Sequence, residues 1–566
     1  MGLSFGRLQG RIARCTVMLL VVATTAAASS DDAGIRAALA APTAEQRESA
    51  LDRLIAAPDV SSATLSRIAS LLDDRDLYVA GKAASALAAA GVDAFDTLER
   101  TLAQGTAQQR WAATVALYQS HVEIDRFVPT LARQLAQDDE RLVIASLAAL
   151  AHTRSRGVAA VPELRTLLSS PRADVRRATL VTLGSIGPAA RAAVPEITAS
   201  LRDARADVRL AAAAAMQSVA PPTPISDERL RAYLAWLQQQ VPVLMKEHHV
   251  PGVSIAIIQE GRVRWAQGFG VRDARRSDPV TTETIFEACS MSKPILALSA
   301  LQLIQQGRLD LDTPLTRYLG HDYLRDEPGQ HLVTARMVLT HRTGLPNWRA
   351  GDDEMGGPLP MLLAPGSEYT YSGEAMLFLQ RAVEAIAGMS LDRFANQGLF
   401  EPLGLRHTSY VWTPAIEQDL ASGHREDGGF KDRTHYRKAN GAYSLYTTPT
   451  DYAALMLSLM RPESLGAHAF SPDSIELMLQ RAVRVDDADA FARPGLARAV
   501  ATYRALGWSI DVGAEGDIVQ HSGSNSSGFR TFGQFNRAKG SGLVIFTNGD
   551  GGARVRDAIL AQVGDL

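Results

Sequence analysis

The chain is short of cysteine, of lysine and of charge of one sign, and each shortage removes a class of function. Only Cys15 and Cys289 occur among 566 residues. The first lies in an N-terminal segment read below as removed, so no internal disulfide and no cysteine-held metal cluster is available. Lys plus Arg number 58 against 61 Asp plus Glu, a formal net charge of -3, so no overall basic field exists to hold nucleic acid or an anionic membrane. After the N-terminal segment no apolar run approaches the about 20 residues that spanning a bilayer takes. What is present, 46% hydrophobic and 21% charged residues over this length, fits a folded protein of two or more domains and excludes a disordered or collagen-like chain.

Residues 1–28 place Arg7, Arg11 and Arg14 ahead of the run Thr16 to Ala23, with Ala26-Ala27-Ala28 following as a small-residue cleavage site. This is the pattern of a secretory signal peptide, and it predicts a periplasmic or secreted protein without an integral membrane span after cleavage. From residue 29 to 220 the chain is rich in Ala, Leu and Arg, in short amphipathic stretches that predict an all-helical region. Val161-Pro162-Glu163 recurs as Val194-Pro195-Glu196, and Asp174-Val175-Arg176 as Asp207-Val208-Arg209, both 33 residues on. Weaker copies stand around Tyr78 to Gly91 and Arg110 to Leu117. A period of this size predicts helix pairs stacked as a solenoid, each unit too small to bury its own apolar face. The units resemble HEAT or PBS-lyase-type HEAT-like repeats, which implies either a surface for a protein partner or a spacer.

The segment 221–225, Pro221-Pro222-Thr223-Pro224-Ile225, cannot continue a helix and marks a linker ahead of a second domain, 226–566. Ser226 is placed to cap a helix carrying Leu230, Leu234, Leu237, Val241 and Leu244 on one stripe. The β-rich runs Val253–Ile258 and Val263–Phe269 flank Gln259-Glu260-Gly261-Arg262, a hairpin signal. Similar runs return at Trp508–Asp511, Asp517–Gln520, Phe529–Phe535 and Gly542–Asn548, before a helix from about Val555 to Val563. Helical patterns fill the middle, so an antiparallel sheet built from both ends of the domain and flanked by helices is expected.

The chemistry begins at Ser290-Met291-Ser292-Lys293-Pro294. Pro294 fits only the first turn of the helix that follows, so Ser290 opens it and Lys293 lies three residues on, on the same face. A serine hydroxyl needs a base, and an amine serves as one only when uncharged, a form favoured by burial and by the positive end of a helix dipole. With six lysines in the chain, Lys293 is the one with Ser three residues before it. Tyr371-Ser372-Gly373 and His521-Ser522-Gly523 follow in order. The phenol suits proton relay, and the His-x-Gly suits a strand edge that substrate approaches.

These three motifs, with Leu339 to Pro346, Glu401 to Leu405 and Gly528-Phe529-Arg530, resemble the serine β-lactamase and penicillin-binding-protein superfamily in its class C, D-aminopeptidase and esterase-like branch. The resemblance covers about 340 residues. It implies an α+β (α/β sandwich) β-lactamase/transpeptidase-like domain. Ser290 would be the acylated nucleophile, Lys293 and Tyr371 would share proton transfer, and His521 would stand where the family has Lys or His. Backbone N–H groups of Ser290 and Ser524 would hold the oxyanion, with Gly523 and Gly373 lining the substrate site. No cofactor and no metal is implied. Gly373 stands where β-lactamases carry the amide of Tyr-x-Asn, and His-Ser-Gly stands for Lys-Thr-Gly. Both departures favour a small ester, an amide or a D-amino-acid peptide as substrate over efficient β-lactam hydrolysis. A β-lactamase, or a penicillin-binding sensor or scaffold with little turnover, is the alternative. Cys289 reads as packing, His341 as a turn hydrogen-bonder, His248-His249 as exposed or capping, and Glu374 as a helix cap.

Overall fold

The computed structural model describes residues 32–120, 124–324, 327–349, 359–463, 470–485 and 499–566. The segment 1–28 read as a signal peptide, Cys15 included, lies outside them. Among the described residues no helix is long and apolar enough to cross a membrane. The chain divides into two compact units, Met1–Ala149 and Leu150–Leu566.

The first unit is built of helices, among them Ala44–Ala56, Ser62–Ser70, Leu77–Ala90, Phe95–Gln104 and Ala107–Gln119. Short polar side chains start them. Thr43, Ser61, Asp76 and Thr106 each accept a backbone N–H of the first turn, and Thr106 forms a reciprocal box with Gln109, supplying partners for amides that a helix start leaves unbonded. Arg47 makes a two-pronged bond to Asp74 at 2.8 and 2.9 Å and also donates to the Ala41 and Pro42 carbonyls.

In the second unit the 33-residue period appears as structure. Helices Val161–Leu167 and Ala173–Ile186 recur as Val194–Ser200 and Ala206–Val219, shifted by 33 at every boundary. Arg176 repeats the arrangement of Arg47, with a two-pronged bond to Asp203 at 2.7 and 3.0 Å and donation to the Ser170 and Pro171 carbonyls. The guanidinium holds the Asp203 carboxyl below its usual range. Packing continues past the Pro-rich segment. Ala213 is buried with Val500 and Val512, and Gln217 Nε2 donates to the Gly513 carbonyl at 2.7 Å.

After residues 221–225, which lie inside the second compact unit, α1 (Asp227–Glu247) starts at Ser226, whose hydroxyl accepts the Arg229 N–H. Among the described residues ten strands follow: β1 (Gly252–Gln259), β2 (Arg262–Gly270), β3 (Phe286–Glu287), β4 (Tyr446–Thr447), β5 (Val483–Val485), β6 (Ala501–Arg504), β7 (Ser509–Gly513), β8 (Gly516–Ser524), β9 (Arg530–Asn536) and β10 (Ser541–Thr547). Eight of them form one antiparallel sheet in the order β2-β1-β10-β9-β8-β7-β6-β5, so the N-terminal hairpin closes onto the last strand, as the sequence implied. The hairpin turns at Glu260 and Gly261, both at positive φ (+53° and +67°), the conformation of a tight turn whose twist matches its strands. β5 and β6 were not anticipated, because three and four residues are too few to show an alternation.

Both sheet faces are covered. On one, Ile255, Ile257, Leu543 and Ile545 pack with α1 and with α5 (Gly552–Val563). On the other, Ala256, Ile258, Val544 and Phe546 pack with α2 (Ser292–Gln305), α3 (Gly373–Ala387) and α4 (Pro449–Met460). Odd and even positions separate cleanly between the faces, as the two-residue repeat of a strand requires. β3 and β4 form a separate two-stranded pair, also unanticipated, and it is this pair that carries the chain into the site.

Candidate active site

β3 pairs with β4 through Phe286↔Thr447 and Glu287↔Tyr446, and the Ala288 N–H reaches the Leu445 carbonyl at 2.7 Å. The chain then turns sharply. Cys289 takes φ +54°, a left-handed conformation for a residue with a Cβ, at a cost of about 1–3 kcal/mol that surrounding contacts must offset. Those contacts come from distant segments. Thr531 Oγ1 donates to the Ala288 carbonyl at 2.8 Å, Tyr452 Oη to the Met291 carbonyl at 3.0 Å and Tyr410 Oη to the Ser292 carbonyl at 2.9 Å. Ser290 therefore sits in a short 3-10 turn, Cys289–Met291, just ahead of α2 rather than within it. Its side chain is partly exposed while residues 291–300 are all buried.

Lys293 is fully buried. Its Nζ donates to Ser290 Oγ at 3.2 Å and to the Ala442 carbonyl at 2.8 Å, and lies 4.9 Å from the centre of the Tyr371 ring. The serine, the amine and the phenol ring predicted to meet are thus in one place. Tyr371 in turn leans on His341, ring centres 4.5 Å apart. His341 is read from sequence as bonding within its own turn. Instead its Nδ1 accepts the Ser372 N–H at 3.2 Å, fixing the Tyr371 segment from 31 positions away. Burial first, then Arg504, Lys293 and His521, push the His341 pKa well below the usual imidazole value, so this ring is neutral and serves as a platform.

β8 forms the opposite side. His521 and Gly523 share one strand face, two residues apart, opposite Gly533 and Thr531 of β9. His521 is 5% exposed, and its Nδ1 lies 2.8 Å from the Ser522 carbonyl. In a neutral ring that contact places the proton on Nδ1. At Gly523 a Cβ would lie 2.6 Å from the Ala288 carbonyl and 2.8 Å from Cys289 Cβ; the glycine lets β8 run against the turn that carries Ser290. Ser524 is exposed at the end of the strand.

Behind it lies a buried carboxylate that sequence reading missed. Glu287 Oε2 accepts Ser527 Oγ at 2.7 Å, Tyr436 Oη at 3.0 Å and Asn525 Nδ2 at 3.2 Å, joining β3, the loop after β8 and the segment around residue 436. Burial raises its pKa above the usual carboxylate range despite those donors. Its only sequence signal was its place three residues before Ser290.

Gly373 is placed differently from the reading that lined the substrate site with it. Its N–H is taken by Asn347, at 3.1 Å to the carbonyl and 2.9 Å to Oδ1, and its Cα is covered by the Trp348 indole. Helix α3 is capped by Ser372, whose Oγ accepts the Ala375 N–H. Glu374 does not cap it, because its carboxylate is buried and paired with Arg349 at 3.2 Å. The Cys289 thiol is buried, with Sγ 3.4 Å from the Glu287 carbonyl, and desolvation raises its pKa well above the usual thiol value. It packs, as expected. His248 ends α1, its N–H on the Leu244 carbonyl, and His249 is exposed.

The chain has the following likenesses. It is 24% identical over 256 residues to the unguisins hydrolase of Aspergillus violaceofuscus (40% of this chain, 45% of that protein). It is 23% identical over 331 residues to protein flp of Staphylococcus aureus (55% and 63%). It therefore spans between about half and two thirds of the curated relatives it matches. Among solved structures, the octameric penicillin-binding protein homologue from Pyrococcus abyssi matches with a TM-score of 0.49 at 24% identity (58% of this chain, 76% of that one). The D-alanine carboxypeptidase AmpC from Burkholderia cenocepacia matches at 0.48 and 23% (60% and 100%). The family described as Beta-lactamase matches residues 237–565, more than half of the chain and the whole of the arrangement around Ser290, so the protein belongs to the beta-lactamase family.

Proposed function

We propose that the protein is a serine hydrolase that cleaves an ester or an amide through an acyl-enzyme on Ser290. The observation that carries this reading is the 3.2 Å contact between the buried Lys293 amine and the Ser290 hydroxyl beside the Tyr371 ring. The Lys293 amine takes the hydroxyl proton as Oγ bonds to the substrate carbonyl carbon. The carbonyl oxygen gains the electron pair and is stabilised by the N–H groups of Ser290 and Ser524. Collapse breaks the bond to the leaving alcohol or amine, which receives its proton through Lys293 and Tyr371. Water then adds to the acyl-enzyme, gives up its proton to the same pair, and releases the acid with Ser290 restored.

The substrate reading rests on what the site holds in place of the β-lactamase residues. No amide side chain stands at residue 373, and the third motif offers an imidazole rather than an ammonium. Esters, amides or D-amino-acid peptides fit these features better than β-lactams, and one curated relative is itself named a hydrolase. The test compares a fluorophosphonate probe, short esters, D-amino-acid amides and a chromogenic cephalosporin on the parent and Ser290→Ala. Ser290-dependent labelling, with esters or amides turned over faster than the cephalosporin, is the expected result. A long-lived adduct without turnover would make the domain a sensor instead, and absence of labelling would remove the nucleophile.

A further inference from the structure

The place left by the missing amide at residue 373 is filled. A Cβ built there would lie 2.2 Å from Trp348 Cη2 and 2.6 Å from Cζ2 and Cζ3, so residue 373 is glycine because the indole lies against its Cα. The chain on both sides of the indole is tied down. Pro346 accepts Ser372 Oγ at 2.7 Å, the Asn347 carbonyl accepts the N–H groups of Gly373 and Glu374 at 3.1 and 3.0 Å, and Arg349 pairs with Glu374. Four consecutive residues, 346 to 349, are thereby riveted to the start of α3.

Trp348 also meets Tyr443, ring centres 5.5 Å apart and edge to face, and Tyr443 meets Tyr436 at 5.4 Å. Tyr443 follows Ala442, whose carbonyl holds Lys293, and Gly373 lies two residues past Tyr371, whose ring faces the same amine. The indole thus bridges the two segments that flank the reactive pair, yet it is 43% exposed. A large aromatic surface held rigid and left open beside a nucleophile binds apolar rings at little ordering cost.

We infer that Trp348, with Tyr443, is a specificity-determining wall that selects esters or amides bearing a ring or branched apolar group next to the scissile bond, and that Gly373 is its obligate partner. This rests on the proposed acyl-enzyme reading of the same site and adds the substrate class.

The experiment uses the full chain and two ester series, one varying the acyl group and one the alcohol, each stepping from methyl to phenyl-bearing members. The parent is expected to favour the phenyl-bearing members of at least one series in kcat/KM. Trp348→Ala should cut that preference by about tenfold or more, the size of effect that lost apolar contact in a binding pocket produces, and Trp348→Phe should keep most of it. Gly373→Asn should lower the melting temperature and activity through its clash with the indole, and Trp348→Ala with Gly373→Asn should recover both. An undiminished preference in Trp348→Ala, with Ser290 still labelled by fluorophosphonate, overturns the inference while leaving the hydrolase intact. A Gly373→Asn protein as stable as the parent overturns the partnership. Failure of Ser290 labelling in the parent is instead a failure of the hydrolase reading.

Discussion

Hydrogen bonds in the helical repeats and in the Ser290 site span very different stretches of sequence. In the repeats, partners lie about one period apart: 27 residues for Arg47–Asp74 and again for Arg176–Asp203, 31 for Arg165–Glu196, 33 for Thr106–Asp73. Around Ser290 they lie 149 residues apart for Lys293–Ala442, 240 for Glu287–Ser527 and 243 for Thr531–Ala288. A rung that joins neighbours can be lost at local cost, because repeat stability is close to a sum of nearest-neighbour terms. A bond that closes a loop of more than a hundred residues exists only once the whole domain has folded, and each one fixes the position of a group that must act within a few tenths of an ångström.

Substitutions sharpen that contrast, beginning with the largest effect. Ser290→Ala should abolish turnover, by on the order of 10⁵-fold or more in kcat, with the melting curve unmoved; residual Ser290-independent turnover at parental rates would place the chemistry elsewhere. Lys293→Met removes the base while keeping the packing, and kcat should fall about 10²–10⁴-fold, with the rate of fluorophosphonate labelling falling in step. Gly523→Ala inserts a Cβ against the Ala288 carbonyl and Cys289. It should cost about 1–3 kcal/mol of stability and depress kcat more than KM, because it displaces the nucleophile turn.

A repeat substitution should behave otherwise. Arg176→Ala is expected to cost about 1–2 kcal/mol in urea unfolding with no change in kcat/KM. The Asp203 carboxyl has a folded pKa below its ordinary 3.8, so this pair stabilises fully above 3.8 and its contribution fades as pH falls through the lowered folded value. The difference between parent and Arg176→Ala should therefore be full at neutral pH and shrink in acid; a constant gap would refute the ion-pair origin. The smallest effect is none at all. Iodoacetamide at neutral pH should leave activity untouched, since the Cys289 thiol is buried and protonated, and inactivation that substrate protects against would show the turn opening.

The legible parts of the molecule follow the same division. The 33-residue period could be read because identical contacts recur, and the hairpin at Glu260-Gly261 because a two-residue turn has its own chemistry. Ser290 and Lys293 could be paired because one helical turn separates them. Tyr371 could be added only through the order of motifs along the chain. Glu287, His341 and Trp348 were not found as site residues, since nothing in the local pattern of Phe286-Glu287 or of Asn347-Trp348-Arg349 tells that the first accepts three hydroxyl or amide donors and the second covers a glycine 25 residues on. The short strands β5 and β6 escaped for a related reason, being held by neighbours rather than by their own alternation.

Sequence alone determined the repeats, the antiparallel sheet drawn from both ends of its domain, and the pairing of Ser290 with the Lys293 amine, because each depends on a spacing that local backbone geometry converts directly into proximity. Tertiary structure alone decided that the space at Gly373 belongs to an indole, that a carboxylate is buried beneath the loop after β8, and that the last repeat packs on Val500 and Val512. Those outcomes depend on which distant side chains fill a given volume once the core closes, and close packing is a property of the assembled chain.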